Sequence, residues 1–371
     1  MDSRAASLFT HIFWCYDLNF KLLIAIFSTK GMNRQNSRSV IVVGVILASV
    51  LAVVALMWPE KLFDTDSGSN KRVSLGLALQ PTSALAIIAM DQGFFEDEGL
   101  VIETKLYPSG KRALHEGLMP GEVDVAISSD IPFSLLTFTD KQLRTLSAIG
   151  TTSDVNSIVA RRDRGITVPA DLKGKRIATQ KASAVHYFLY QFLRKHGISA
   201  REIHCSFMKA EQLPKALADG SIDAFSMREP YVGEALRLLG DKAVRFSAFG
   251  IYPQTDIVVS HQQFVQDNPK VITGLIQALL VAERFANRNP EQAMDILAKR
   301  LGADRKLIAK LWMKLNLRVS LHQPLVLLLE SQARWALREG HVEGDEIPDY
   351  TTNIHFETLR KLKPEAVTVI H

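Results

Sequence analysis

Cysteine is scarce: the 371 residues hold two, Cys15 and Cys205. They lie on opposite sides of a long apolar segment, so no bridge is expected, and neither has the spacing of a metal-binding pair. No run of five Lys or Arg occurs, and the net charge of +5 is unevenly placed. Residues 1–58 carry Arg4, Lys21, Lys30, Arg34 and Arg38 against Asp2 and Asp17, which leaves only +2 for the rest. That excludes a nucleic-acid surface. Catalytic signatures are also missing. There is no G-x-S-x-G, Walker loop or dinucleotide fingerprint, and His115-Glu116 lacks the second histidine of a zinc-protease helix. His186 and His196 are ten apart and do not share a helix face. No catalytic residue, cofactor or metal is expected. At 47% apolar and 22% charged the composition is that of a folded chain. Its length suggests roughly two domains at ~150 residues each, enough to bury a core without disulfides.

What the chain does have, near its start, is an uninterrupted apolar run. Residues 40–57 read VIVVGVILASVLAVVALM, 18 residues without a charge, followed by Trp58 and Pro59. As a helix they rise ~27 Å, close to the ~30 Å hydrocarbon thickness of a bilayer. Arg34 and Arg38 precede the run, and Glu60, Asp64 and Asp66 follow it. The positive-inside rule therefore puts residues 1–39 in the cytoplasm and the body outside. The run is long for a secretory signal, and Leu56-Met57-Trp58-Pro59 offers no small-x-small cleavage site, which favours an uncleaved single-pass anchor over a cleaved signal. A buried core helix is the bland alternative, but the run has no polar face. Residues 12–27 are broken by Asp17, Asn19 and Lys21, too polar for a second span. Met32 opens a stretch resembling a natural signal start, an alternative beginning of translation. Residues 59–71, with Ser67, Gly68 and Ser69, form a linker.

Beyond the linker, strands alternate with helices. Strands are expected over 73–79, 101–106, 123–127, 171–179, 204–208, 223–227 and 244–246. Helices are expected over 84–92, from Ser109-Gly110 through Leu118, and from Pro132. In a further helix Val185, Phe188, Leu189, Phe192 and Leu193 recur at i, i+3, i+4, i+7, i+8. This βαβα rhythm marks an α/β fold with mostly parallel sheets. From about residue 268 four helices follow, over 271–287, 291–301, 305–317 and 325–339, without a chemical constellation. An internal echo runs through the body. Gly121-Glu-Val-Asp124 resembles Gly220-Ser-Ile-Asp223, and each strand ends in an acidic residue near a proline, Asp130-Ile-Pro132 and Glu229-Pro230. Two similar α/β lobes are the simplest source of such an echo. Ligands of open α/β sheets bind beyond the carboxyl ends of the strands.

The strings YPSGKRALHEGLMPGEVDVAISSDIPF, DLKGKRIATQKASAVHYFLYQFLRKHGIS and GSIDAFSMREPY resemble the nitrate/sulfonate/taurine-type substrate-binding proteins of ABC importers, a family that includes thiamine-pyrimidine-precursor binders. The resemblance runs from about 73 to 367 and is strongest between Tyr107 and Tyr231. The C-terminal helices match in style, including the turn Ile347-Pro348-Asp349. It implies a two-lobed type II periplasmic-binding-protein fold. Lobe 1 would comprise 72–162 and 255–371 and lobe 2 163–254, with crossings near 159–162 and 255–258 and the C-terminal helices packed on lobe 1. A small-molecule ligand would sit in the cleft, for delivery to ABC permease and ATPase subunits.

In such a cleft the candidate ligand contacts are Gln80 and Thr82, Ser109 and Gly110, Ser128, Ser129 and Asp130, and Thr151 and Thr152 from lobe 1. Lobe 2 adds Lys181, Ala182 and Ser183, then Arg228, Glu229 and Tyr231. Hydroxyls and backbone N–H groups at helix starts hold an oxyanion. Asp130 or Glu229 suits an amine, and Arg228 a carboxylate or sulfonate. The structural alternatives are that Ser129, Asp130 and Ser183 only cap helices, that Gly110 serves turn geometry, and that Arg228 pairs with Glu229 or is solvated. His186, one turn into its helix, is the single histidine placed near a ligand. The family has an aromatic or small residue before its Glu-Pro pair, so Arg228 departs from the pattern.

Three functions compete. One is capture of a small anionic or zwitterionic solute for an importer. The second is a membrane-tethered domain that reports ligand to a membrane partner. The third, by resemblance to the pyrimidine synthase of thiamine synthesis, is an enzyme; against it stand the export segment and the lone Cys205 of the body.

Overall fold

The computed structural model describes residues 71–247 and 250–370. The expected membrane segment, the Met32 alternative and nearly all of the linker lie outside the described residues. Among the described residues no helix is long and apolar enough to cross a membrane.

Eleven strands form two sheets. The first holds β1 (Lys71–Leu77), β2 (Leu100–Leu106), β3 (Val125–Ser129), β4 (Leu143–Thr152), β10 (Gln254–His261) and β11 (Leu315–Asn316), in the order β11-β4-β10-β3-β1-β2. The second holds β5 (Ser157–Arg161), β6 (Arg176–Thr179), β7 (His204–Phe207), β8 (Ala224–Met227) and β9 (Ala243–Ser247), in the order β7-β6-β8-β5-β9. The two sheets share a plan. β2-β1-β3 run parallel, and β10 joins β3 antiparallel. Likewise β7-β6-β8 run parallel, and β5 joins β8 antiparallel. The chain passes from the first sheet to the second between β4 and β5 and returns between β9 and β10.

The echo in the sequence has a physical cause. Asp124, just before β3, accepts from the backbone N–H of Ser74 on β1 at 2.8 Å. Asp223, just before β8, accepts from the N–H of Arg176 on β6 at 3.0 Å. Each carboxylate pins the start of one strand to its parallel neighbour. Gly121 and Gly220 stand three residues earlier in the left-handed region, at φ 77 and 82, where a side chain is strained. The second half of the echo does not correspond. Asp130 is fully buried, whereas Glu229 is exposed and its peptide bond to Pro230 is cis.

Burial explains the elements that depart from expectation. The helix Ala84–Asp91 is apolar all round, and Ala84 to Ala89 are wholly buried. It is sandwiched among β4 and the helices Pro269–Arg288 and Pro290–Leu301. β4, β5 and β10 are absent from the expected strands, and the positions expected as crossings, 159–162 and 255–258, fall largely within β5 and β10. The expected helix to Leu118 begins as Gly110–Arg112 and then widens over Ala113–Leu118, with Glu122 N–H reaching back to Gly117 O. A Cβ on Gly117 would come within 2.8 Å of Tyr107 Oη, so the wide turn needs the glycine. The expected helix 305–317 stops at Trp312, and Leu315–Asn316 pairs with the end of β4.

The helix Gln323–Arg338 does more than pack on the first sheet. Ser134 Oγ donates to Leu329 O at 3.0 Å on that side. Trp335 meets Tyr187 and His186 edge-on, at 5.2 and 5.1 Å between ring centroids, on the other. Trp335 is large and apolar, and it shares a buried cluster with Tyr187, Phe188 and Phe192 of the second sheet's helix Ala184–Lys195.

Close approach is tightest at Gly150 in β4, where a Cβ would overlap the carbonyl of Thr82. Gly150→Ala is expected to destabilise the fold at or beyond the upper end of the ~1–3 kcal/mol that overpacking costs. Urea unfolding measures it, and a midpoint equal to wild type would contradict this packing.

Candidate functional site

The parallel strands of both sheets end at one cleft. Gln80 follows β1, Ser109 follows β2, and Ser129 ends β3. Gln180 follows β6, Met208 and Lys209 follow β7, and Arg228 follows β8. These corners line a cavity of about 470 Å³ together with Gly110, Lys111, Arg112, Ser183, Ala184, Phe207 and Gln254. An adjoining cavity of about 540 Å³ shares Gln80, Ser109, Arg112, Gln180, Lys209 and Arg228 and adds Glu116, Glu211, Glu229 and Tyr231. Five cationic side chains, Lys111, Arg112, Lys181, Lys209 and Arg228, line the first cavity, and no carboxylate does.

Of the expected contacts, Gln80, Ser109, Gly110, Ser129, Lys181, Ser183 and Arg228 line the first cavity, and Glu229 and Tyr231 the second. Thr82, Ser128, Asp130, Thr151, Thr152, Ala182 and His186 line neither. Thr82 is buried and donates to Asp256 at 2.8 Å. Ser128 donates to the carbonyl of Ser129. Thr152 Oγ1 accepts from Asp154 N–H, and Thr151 and Thr255 share a hydroxyl contact at 3.1 Å. Asp130 accepts from Tyr252 Oη, from Thr255 N–H at 3.1 Å and from Ile131 N–H at 2.8 Å, so its carboxylate ties the end of β3 to the strand that returns from the second sheet. His186 packs among Phe207, Trp335 and His341, and its Nδ1 accepts from Ala182 N–H at 3.3 Å. Burial, with His341, Lys111 and Lys181 adding to it, pushes His186 down to about 3, so it is neutral.

The local alternatives sort themselves residue by residue. Ser109 Oγ accepts from Arg112 N–H at 3.3 Å, a capping bond, while still facing the cavity. Gly110 allows close approach, since a Cβ there would lie 3.0 Å from Ser128 Cα and 3.1 Å from Ser129 N. Ser183 makes no cap with its side chain; its hydroxyl donates to Gln180 O at 2.6 Å. Ser183 and Ala184 line the cavity at the positive end of the helix dipole. Arg228 and Glu229 do not pair. Glu229 accepts from Gly233 N–H at 2.8 Å and meets Arg245 at 3.5 Å.

Two features join the sides of the cleft. Lys111 Nζ, from the first sheet's side, donates to the carbonyls of Lys181 and Ala182 at 3.0 and 3.3 Å. Burial, then nearby Lys181, lowers the Lys111 pKa. Ala182 sits at φ 50, a conformation that costs a non-glycine residue roughly 1–2 kcal/mol. Asp256, on β10, is wholly buried, and its Oδ2 accepts from Gln80 at 2.6 Å, Thr82 at 2.8 Å and Ser83 at 3.0 Å. Burial raises the Asp256 pKa, and these three bonds and the charge of Arg228 oppose the rise.

Lys111, Arg112, Gln180, Lys209, Gln212 and Gln254 line the cavity without having been expected. Lys111 and Arg112 directly follow the expected Ser109-Gly110. Gln180 and Lys209 follow strands that the sequence does indicate, so the strand-end rule applied to every parallel strand would have found both.

The fold and the sequence have known relatives. A family model described as "NMT1/THI5 like" matches residues 80–293, more than half of the chain. A protein of Escherichia coli strain K12 named as an aliphatic sulfonates-binding protein is 24% identical over 266 residues, 72% of this chain and 79% of that one. The taurine-binding periplasmic protein of the same organism is 22% identical over 222 residues, 59% of this chain and 68% of its own. Among solved structures, the periplasmic aliphatic sulphonate binding protein of E. coli superposes with a TM-score of 0.64 at 19% identity, over 78% of this chain and 99% of that one. The periplasmic nitrate-binding protein of Synechocystis PCC 6803 gives 0.62 at 15% identity, over 80% and 89%. The described fold is therefore that of the periplasmic binding proteins.

Burial raises Asp130 from 3.8 to about 7, the bonds from Tyr252, Thr255 and Ile131 opposing. Between those values the folded state holds a proton that the unfolded chain releases. The stability it contributes is complete below 3.8 and is lost as the pH rises through about 7. Asp130→Asn is expected to flatten this decline; melting temperatures recorded across that range in both proteins decide it, and identical slopes would rule Asp130 out.

Proposed function

The chain belongs to the NMT1/THI5-like family, and from that membership we propose that it is an extracytoplasmic solute-binding protein that captures a small anionic or zwitterionic solute between its two sheets for an ABC importer. One observation carries the reading: the five cationic side chains, with no carboxylate, around the first cavity. A cavity lined by one sign of charge concentrates ligands of the other. The helix start at Ser183-Ala184, which lines the cavity, adds N–H donors, the usual means of holding an oxyanion. The names borne by the relatives, sulfonate, taurine and nitrate binders, fit such a solute.

In this reading the first lobe comprises the first sheet with its helices and the second lobe the second sheet. The connections β4–β5 and β9–β10 are the hinges, five to ten residues before the 162/163 boundary expected at the first crossing. The binding residues are Gln80, Ser109, Gly110, Lys111, Ser129, Lys181, Ser183 and Arg228. The proposal includes the apolar segment 40–57 as an anchor holding the body at the outer membrane face, where permease and ATPase subunits are the partners. Closure around a ligand requires that the ligand bind the closed form better than the open one.

Thermal-shift screening of the purified protein against alkanesulfonates, taurine, nitrate and pyrimidines is expected to give a higher melting temperature with at least one anion. No stabilisation by any of them would overturn the reading. Lys111→Ala should weaken that ligand by about ten- to a hundredfold in calorimetry, because hydrogen bonds to a charged group are worth ~1.5–3 kcal/mol.

A further inference from the structure

The cavity's cations are not equivalent. Lys111 puts two of its three N–H donors on carbonyls, and Arg112 pairs with Glu116 at 2.7 Å. Lys181 lies over the ring of Phe207, 5.9 Å from its centroid. Lys209 lines both cavities but is exposed to solvent, and the guanidinium of Arg228 differs from all four. It is half-buried, it lines both cavities, and it makes no hydrogen bond or ion pair with any described residue. Of the opposing charges that act on it, that of Asp256 acts most strongly. That carboxylate does not take its donors: Oδ2 is occupied by Gln80, Thr82 and Ser83, and Oδ1 is without a partner. Asp256 thus supports the positive charge of Arg228 without taking any of its five N–H donors. A partly desolvated guanidinium with open donors is costly unless an acid group pairs with it.

Its position matters as much as its state. Along the second sheet the order is β7-β6-β8. Arg228 follows β8, and the corner Gln180–Ser183 follows its neighbour β6. Adjacent strands lie about 4.8 Å apart. The corner Gln180–Ser183 and Arg228 thus start from backbones about one strand spacing apart, so two acid groups of one short solute can be taken separately, one at the helix start beside Ser183 and Lys181 and one at Arg228. The free volume of about 470 Å³ also far exceeds what an inorganic oxyanion fills, and falls in the range of sites for larger organic ligands.

Resting on the reading of the cleft as an anion site, we infer that its solute is a short organic dianion with an acid group at each end, and that Arg228 is the specificity-determining residue that takes the second acid group. A sulfonate or carboxylate matches the planar fork of Arg228 in two parallel bonds, which a lysine cannot reproduce.

Calorimetry on the full chain at fixed ionic strength tests this with matched pairs: ethanesulfonate against ethane-1,2-disulfonate, and propane-1-sulfonate against 3-sulfopropionate. The dianion of at least one pair is expected to bind about tenfold tighter or more. Arg228→Gln should reduce that ratio to under about threefold, and Arg228→Lys should leave an intermediate ratio. Wild-type protein that binds the monoanions as tightly as the dianions overturns this inference and leaves the anion-site reading standing, as does an Arg228→Gln variant that keeps the full ratio. Binding of neither class overturns both. The wild-type comparison decides the point even where a variant does not fold.

Discussion

A wholly buried carboxylate, Asp256, organises the cleft. Burying a charge is costly in isolation, and here three short side-chain bonds from Gln80, Thr82 and Ser83 offset the cost. Those three residues form the corner after β1, so satisfying Asp256 fixes the conformation of that corner. β10 carries Asp256 and pairs with β3 on one side and β4 on the other. The strand that returns from the second sheet therefore sets the shape of the first sheet's binding edge. The same charge acts on Arg228 from the second sheet. One buried group thus shapes one side of the cleft and steadies the charge on the other.

Each sheet has the same core, three parallel strands followed by one antiparallel strand contributed from a different part of the chain. β10 arrives in the first sheet after the second is complete, and β5 enters the second directly from the first. This exchange turns the carboxyl ends of both parallel triplets toward one space, and helix starts follow each triplet there. Asp124 and Asp223 hold the equivalent strand starts at the far ends. They are support for the sheets and take no part in the cleft. The repeated aspartate in the sequence is thus a mark of architecture, and the chemistry lies at the opposite ends of the same strands.

The parallel strands and their corners were legible because apolar runs there are punctuated by glycine, serine and a following amphipathic helix. β4 and β10 were not, because polar residues such as Thr145, Ser147, Gln254 and Asp256 are buried inside them and erase both a continuous apolar run and a period of two. The site was legible in location and only partly in membership. Thr82 and Gln80 read alike in sequence, two polar residues at one corner. What separates them is that Thr82 turns wholly inward to a carboxylate 174 residues away, a partner no local pattern announces. Asp130 and His186 stand off the two cavities for the same reason: their partners, Tyr252 and Trp335, come from distant segments. Lys111 escaped notice because a lysine in a short helix reads as solvated, and its reach across the cleft depends on the second sheet being there.

That reach bears on how tightly the cleft is held in the absence of a solute. Two hydrogen bonds from one ammonium to carbonyls amount to a few kcal/mol at most, since water competes for the same donors when the corners part. Against this stand the mutual repulsion of Lys111 and Lys181 and the left-handed backbone of Ala182. The terms are of opposite sign, so the two sides of the cleft are held by less than the hydrogen bonds alone would provide. An anion placed among these cations removes the repulsion and keeps the bonds. Under the proposed function, the differential affinity that closure requires would then come from the solute's charge, and the apolar packing of Trp335 against Tyr187 would keep the sheets in register as the cleft's two sides move.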